Sequence, residues 1–373
     1  MKIVYIRSNP INPDPRVEKE MSAAINYGHI PIALGWNRSS SNNTIKKEQL
    51  RLSNGLVDIY RINIKSKFGS GVKNIMPLVK WQIALAKWLL KNRNKYDIIH
   101  ACDFDTVLPA LIMKICFNKK YVYDIFDFYV DAFSVPHKLK NVIKKLDFLA
   151  IKSAEATIIV NESRKEQIQG SKPKKLVVIH NTPIEQKNYI NQYKGNKKTI
   201  FYGGILTENR MIKEAISICE RHPEWNLIIA GFGPLESMCK KKGEEVKNIQ
   251  FLGKIPYKEI IKYTMESDIL FACYDPNIPN HKFSSPNKLY EAMMCKKPII
   301  VCENTGIDKI VIRENIGLVC KFSEISLEQS FSCLLENMEQ CKLMSENSFN
   351  LYKNNYSWNI MEKRIGEMYK NIN

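Results

Sequence analysis

Residues 281–300 read HKFSSPNKLYEAMMCKKPII, and they group side chains suited to a phosphorylated ligand. Ser284 and Ser285 precede Pro286 and Asn287, and a helical apolar pattern follows. The pattern predicts a helix with Ser285 as N-cap and Pro286 as its first residue. The unbonded amides of such a first turn, around Asn287 and Lys288, attract anions with the help of the helix dipole. Glu291 falls about a turn and a half into the helix, where its carboxylate could accept both hydroxyls of a ribose while the amides hold phosphate. An ordinary capped helix with a solvated glutamate has the same local sequence, so the other turns of the chain decide between the two readings.

Three further stretches follow strand-like runs. FYGGILTENR places Gly203 and Gly204 just past a strand and Arg210 at the next helix, a combination that suits a diphosphate. AGFGPLE puts Gly231 and Gly233 in a similar position, although paired glycines more often serve a tight turn. FLGKIPYKE offers Lys254 and a backbone edge at Ile255 as the floor for a nucleobase. Four ligand-suited turns at one sheet edge favour a binding site over a lone capped helix.

The elements that carry these turns repeat one rhythm. KIVYIRS, IPIALGW, DIIHACD, KYVYDIF, ATIIVN and KLVVIHN read as strands in the first half. KTIFYGG, NLIIAGFG, IQFLGK, ILFACY, KPIIVCE and IGLVCK do so in the second. Strands alternating with helices imply α/β architecture with parallel sheets, whose ligands bind outside the carboxyl ends of the strands. In DPRVEKEMSAAINYGH, Asp14 caps a helix, Pro15 opens it and Gly28 lies near its end. Residues 182–198 are polar and without period, which divides the chain into domains 1–185 and 186–354. The terminal helix, 355–373, is expected to pack back on the first domain.

Composition sets limits. The 373 residues are 45% hydrophobic and 25% charged, enough for two cores and unlike a disordered chain. No apolar run approaches the ~20 residues that span a bilayer, and the first strand is too short for a signal peptide. A cytoplasmic protein is expected. Ten cysteines without a C-x-x-C pair read as buried free thiols, not as a zinc or disulfide framework.

The net charge of +18 is uneven: residues 1–185 hold 30 basic against 16 acidic side chains, the remainder 26 against 22. An anionic partner for the first half follows, either nucleic acid or an anionic membrane face. Two helices bear on the choice. In KNIMPLVKWQIALAKWLLKNR, Lys73, Lys80, Lys87 and Lys91 share a stripe beside Trp81 and Trp88. In HKLKNVIKKLDFLAIK, Leu139, Val142, Ile143, Leu146 and Leu149 oppose Lys144 and Lys145. Basic helices of this kind lie on anionic lipid, and a core-facing stripe with solvated lysines is the competing reading for either helix alone. Together with the charge asymmetry they favour a peripheral membrane contact and no nucleic acid.

FSSPNKLYEAMMCKKPII, with FYGGILTENR, AGFGPLE and FLGKIPYKEIIKYTMESDILF, resembles the retaining glycosyltransferases of family four, which have the GT-B fold. NPDPRVEKEMSAAINYGH and DIIHACDFDT extend the resemblance over nearly the whole chain in the expected order. It implies two facing Rossmann-like domains, a nucleotide-sugar donor held mainly by the second, and a saccharide or lipid-linked saccharide acceptor held mainly by the first. By the same resemblance Glu291 matches the second glutamate of an E-x7-E motif and binds the donor ribose. Arg210 meets the diphosphate. Gly203 and Gly204 form the turn beside the phosphates, and Ser284, Ser285 and Asn287 the loop facing phosphate and sugar. His100 and Asp103 match the first histidine and the aspartate of an H-x-H-D-like loop.

The chain also departs from the family. Phe283 stands eight residues before Glu291 in place of the first glutamate, which leaves the donor sugar unassigned. Gly204 occupies a place where an arginine often stands, so Arg210 and Lys288 are left to neutralise phosphate. Cys102 replaces the second histidine, and Phe126-Asp127 replaces a His-Glu pair, making Asp127 a candidate for positioning the acceptor. In a retaining transfer the departing diphosphate can itself take the acceptor's proton. The protein must then stabilise phosphate charge through Arg210, Lys288 and the helix amides, and hold the acceptor through His100, Asp103 and Asp127. Alternatively, Asp103 and Asp105 cap the helix TVLPALIMKI and His100 is a core residue. The DFD at 103–105 looks like the metal-binding D-x-D of glycosyltransferases of another fold, so no metal is expected. The rival functions are a nucleotide-sugar epimerase of the same fold and an inactive assembly subunit.

Overall fold

The structure, a computed structural model, describes residues 1–40, 42, 44–66, 74–132, 137–185 and 198–372. Lys73 and residues 186–197 of the expected linker lie outside the described residues. The chain forms two α/β units: Met1–His180 with Met361–Asn373, and Asn181–Ile360. The sequence pattern had placed these divisions at residues 185 and 355.

The first unit runs β1 (Lys2–Arg7), α1 (Pro15–Asn26), β2 (Ile30–Asn37), β3 (Ile45–Leu52), β4 (Gly55–Asn63), α2 (Ile75–Lys91) and β5 (Ile98–Cys102). It continues through α3 (Phe104–Phe117), β6 (Lys120–Ile125), α4 (Tyr129–Ala132), α5 (His137–Ser153), β7 (Ala156–Ile159), α6 (Arg164–Gln167) and β8 (Leu176–Val178). The strands form one sheet in the order β3-β4-β2-β1-β5-β6-β7-β8. Every pairing is parallel except the β3–β4 hairpin. Strands β5 and β7 are buried at every position, as continuous apolar runs between two helical layers must be. Asp14 caps α1 by accepting from the Val17 amide at 3.2 Å, with Pro15 as first helical residue.

The sequence pattern missed the β3–β4 hairpin because IKKEQLRL is a charged edge strand with few buried positions. Trp81 and Trp88, expected beside the lysine stripe of α2, instead point into the core under the sheet.

The second unit runs β9 (Lys198–Ile205), α7 (Ile212–Arg221), β10 (Trp225–Phe232), α8 (Glu236–Glu245), β11 (Ile249–Phe251), α9 (Tyr257–Glu266) and β12 (Ile269–Ala272). There follow α10 (Asn287–Met294), β13 (Ile299–Cys302), α11 (Asp308–Arg313), β14 (Gly317–Cys320), α12 (Glu324–Glu336), α13 (Met338–Leu351) and α14 (Trp358–Lys370). Its sheet is wholly parallel in the order β11-β10-β9-β12-β13-β14. Strand order reverses between β9 and β12, and the crevice at such a switch point is where open parallel sheets bind ligands. From Met361 onward α14 belongs to the first unit, where the Tyr369 hydroxyl meets the Tyr5 hydroxyl at 2.9 Å and Arg364 donates to the Val178 carbonyl at 2.9 Å.

Candidate active site

In the second unit, the β9/β12 switch point gathers most of the residues singled out from the sequence. Gly203 and Gly204 end β9 and pair in register with Ala230 and Gly231 of β10. Gly231 has φ +148, and a Cβ there would lie 1.8 Å from the Gly204 carbonyl oxygen, so only glycine lets the two strand ends approach. Gly204 has φ +155, and its missing side chain leaves space that the Lys288 ammonium occupies.

Three cation–ring contacts define the crevice. The Arg210 guanidinium lies 3.8 Å from the centroid of the Tyr274 ring, two residues past the end of β12. Its Nη1 is buried with no hydrogen-bond acceptor among the described residues. A buried guanidinium nitrogen left unmet is costly, and an anionic ligand would relieve it. Lys288 Nζ lies 4.6 Å from the Tyr202 ring. Burial lowers the Lys288 pKa to about 8; Glu291 opposes that shift and Arg210 adds to it. Lys254 Nζ sits 5.1 Å from the Phe232 ring at the end of β10, and Ile255 packs against the core on the same side as Ile260.

Helix α10 starts one residue later than expected. Pro286 is the N-cap with extended backbone (φ −69°, ψ 139°), Asn287 is the first helical residue, and the N-cap residue itself makes no side-chain capping bond. The Ser285 hydroxyl is instead 2.9 Å from the Tyr290 hydroxyl, and Ser284 lies in the extended approach to the helix.

Glu291 is buried in α10 and is engaged by the Tyr257 phenol, whose pKa burial and the carboxylate both raise. Burial pushes the Tyr274 pKa up to about 12, with Arg210 opposing and Glu291 reinforcing it. Lys288 and Tyr274 thus each sense Arg210 and Glu291 electrostatically, while Gly203, Gly204 and Gly231 lie within strands β9 and β10 and not in the turn expected past the strand. The sequence reading missed Tyr257, Tyr274 and Tyr202. Position alone could have flagged Tyr274, since it stands at the carboxyl end of a central strand.

The three candidates in the first unit do not form a common site. His100 is fully buried on β5: its Nδ1 is 2.6 Å from the Tyr369 hydroxyl, its ring stacks on Tyr5 at 4.5 Å, and Nε2 faces Glu20 and Asp124. It is a core residue and cannot touch an acceptor, because its strand position points beneath α14. Asp103 pairs with Arg7 and accepts from the amides of Phe126 (2.8 Å) and Asp127 (3.2 Å). Asp103 stands at the N-cap of α3, where its carbonyl accepts from the Thr106 amide at 3.1 Å, but its carboxylate makes no capping bond and fastens the turn after β6. Burial raises its pKa to about 6 against the pull of Arg7. Asp127 alone stays substantially exposed, at 48% of its side chain, with one oxygen 3.0 Å from the Arg164 guanidinium.

The cysteines described here are free thiols. Cys273, Cys302 and Cys320 stand together on β12–β14 with Sγ separations of 3.8 and 3.9 Å, far beyond a disulfide bond. Among the described residues no helix is long and apolar enough to cross a membrane.

Comparison with known proteins agrees with this geometry. Residues 184–351, which carry the whole crevice, match the family described as Glycosyl transferases group 1. Over 337 residues the chain is 26% identical to the N,N'-diacetylbacillosaminyl-diphospho-undecaprenol alpha-1,3-N-acetylgalactosaminyltransferase of Campylobacter jejuni, covering 82% of this chain and 85% of that protein. Sucrose-phosphate synthase of Thermosynechococcus elongatus superposes with a TM-score of 0.75 at 14% identity, covering 100% of this chain and 99% of the other. Anabaena HepE, solved with UDP and glucose, superposes with a TM-score of 0.71 at 14% identity and covers both chains fully.

Proposed function

We propose that this chain, a glycosyltransferase of the GT-B fold, is a retaining enzyme that moves a sugar from a nucleoside-diphosphate donor to a lipid-linked saccharide in cell-surface glycan assembly. The observation that carries the donor half is the Arg210 guanidinium, laid on Tyr274 with Nη1 unmet and Lys288 beside it. Two cations beside a helix start suit a pyrophosphate. Glu291 then takes the ribose hydroxyls, and Lys254 with Ile255 borders the nucleobase. UDP is the first nucleotide to try, in line with the UDP complex of Anabaena HepE. The lipid-linked acceptor follows the chemistry named for the Campylobacter relative.

In the proposed reaction the bond from the anomeric carbon to the diphosphate breaks, and the acceptor oxygen bonds to that carbon on the same face. The departing phosphate oxygen takes the acceptor's proton. Arg210, Lys288 and the α10 amides stabilise the charge that develops on the diphosphate, each more strongly in the transition state than in the bound donor. They supply the positive charge that a divalent cation supplies elsewhere, so chelators should leave the rate unchanged. Asp127 is the acceptor-positioning candidate that remains once His100 is assigned to the core and Asp103 to the turn. The enzyme would work at the cytoplasmic face of a membrane.

The test is transfer from labelled UDP-sugars to a synthetic polyprenyl-diphosphate saccharide, with the product's anomeric configuration read by NMR. An α-linked product from an α-linked donor supports the proposal. A β-linked product, or none with any donor, contradicts it.

A further inference from the structure

The first unit presents an apolar and cationic face to solvent. Helix α3 packs between α2 and α5, and the three send their inner sides, including Trp81, Val107 and Ile151, into one core. Their outer sides do not become uniformly polar, as the surface of an amphipathic helix normally does. Met76 and Ile83 of α2, Ile112 and Ile115 of α3, and Val142 and Leu146 of α5 are exposed, Ile115 at 71% and Met76 at 64%. Of the α5 residues that the sequence pattern left open to a core role, Leu139, Val142, Leu146 and Leu149 are on the surface and Ile143 packs against the core.

The charge on this layer has one sign. Lys80, Lys87 and Lys91 are exposed on α2, and Lys140, Lys144, Lys145 and Lys152 on α5. The three helices contain two carboxylates. Asp147 is buried and accepts from the Tyr123 hydroxyl at 2.8 Å, and Asp105 is half-buried in the first turn of α3. No fully exposed carboxylate interrupts the face among the described residues.

Lysine is depleted from protein–protein interface cores, and a nucleic-acid surface has no use for exposed aliphatic side chains among its cations. A bilayer of anionic phospholipid uses both: aliphatic groups enter the headgroup–acyl boundary while lysines meet the negative surface. We propose that the outer faces of α2, α3 and α5 rest on an anionic phospholipid bilayer. The proposal rests on the reading of the acceptor as lipid-linked and names the surface that brings the enzyme to it.

The experiment is co-sedimentation of the full chain with vesicles of phosphatidylcholine alone or mixed with phosphatidylglycerol, at low and high salt. Expected are binding to the mixed vesicles at low salt and weakening with added salt. Lys144→Ser and Lys145→Ser should each cost about five-fold in partitioning. Val142→Ser with Leu146→Ser should weaken binding at both salt concentrations. Stabilisation by UDP, read as a rise in melting temperature, should be equal in all variants. Absence of binding by the wild type, equal binding to both vesicle types, or variants that bind as the wild type does would overturn the proposal. So would a wild-type dimer that Leu146→Ser converts to monomer, which would assign the face to a second copy. Vesicle binding without any effect of UDP would leave the surface standing and remove the donor reading; the reverse pattern would do the opposite.

Discussion

The Lys288 ammonium occupies the position that a side chain on Gly204 would need: a Cβ built on Gly204 would lie 2.5 Å from Lys288 Nζ. The missing side chain at Gly204 therefore admits a cation from α10. An arginine carried by the turn itself is unnecessary when a lysine from the facing helix fills the same space. In the proposed reading the first residues of α10, the end of β9 and Arg210 would act on one ligand.

Lys288 should make donor binding depend on pH. Its pKa is lowered to about 8 mainly by burial, so the ligand-free protein bears the cost of a buried ammonium below that pH. A depressed folded-state pKa contributes stability that is present above the unfolded pKa and lost as pH falls through the folded one. Lys288→Met should therefore raise the stability of the ligand-free protein at neutral pH, by on the order of 1–3 kcal/mol. UDP affinity of the wild type should fall as pH rises past about 8, and the variant should bind weakly with no such dependence. Denaturant melts and calorimetric titrations across pH measure both.

Arg210→Ala should lower kcat by about 10²-fold, the usual effect of removing one donor to developing charge, with little change in KM for the acceptor. Arg210→Lys should recover only part of the loss, because an ammonium cannot pair two phosphate oxygens and lie flat on Tyr274 together. Equal rates for wild type and Arg210→Ala would remove Arg210 from the diphosphate.

Gly231→Ala should unfold the second unit or cost more than about 3 kcal/mol, since its Cβ would strike the Gly204 carbonyl. Gly28→Ala, where a Cβ would meet nothing within 4 Å at φ +74, should cost only about 1 kcal/mol of backbone strain. Urea melts of the two variants give the comparison.

His100→Ala should act on stability and not on chemistry. Removing the imidazole strips the Tyr369 hydroxyl of a partner and leaves Glu20 and Asp124 facing the Arg16 guanidinium without the imidazole nitrogen, at a cost of roughly 2–4 kcal/mol. Transfer rate per UDP-binding molecule should be unchanged. A lower rate at equal stability would return His100 to the reaction.

The elements were legible where burial imposes a period. Parallel strands sealed between helices are apolar runs, and twelve of the fourteen could be read from the sequence; β3 and β4 were not, since an edge hairpin carries the charges that protect it. The places of the donor-site candidates along strand and helix were legible because glycine and proline leave marks at fixed positions; the burial of Glu291 was not. The aromatic floor of the site went unread, although the place of Tyr274 at the carboxyl end of a central strand was a mark the sequence carried. On the first unit the pattern picked His100 for its chemistry, while depth within the sheet is a property of the fold that a single strand cannot announce. The capping of α10 differed by one residue because Pro286 keeps extended backbone and postpones the first turn.

Isothermal titration of nucleoside diphosphates, UDP first, into the wild type and into Arg210→Ala and Glu291→Gln tests the donor site most directly. The account predicts one nucleotide bound stoichiometrically by the wild type, with affinity reduced at least about ten-fold by either substitution through loss of charge-assisted hydrogen bonds. No binding by any nucleoside diphosphate, or binding that both variants retain in full, would contradict it.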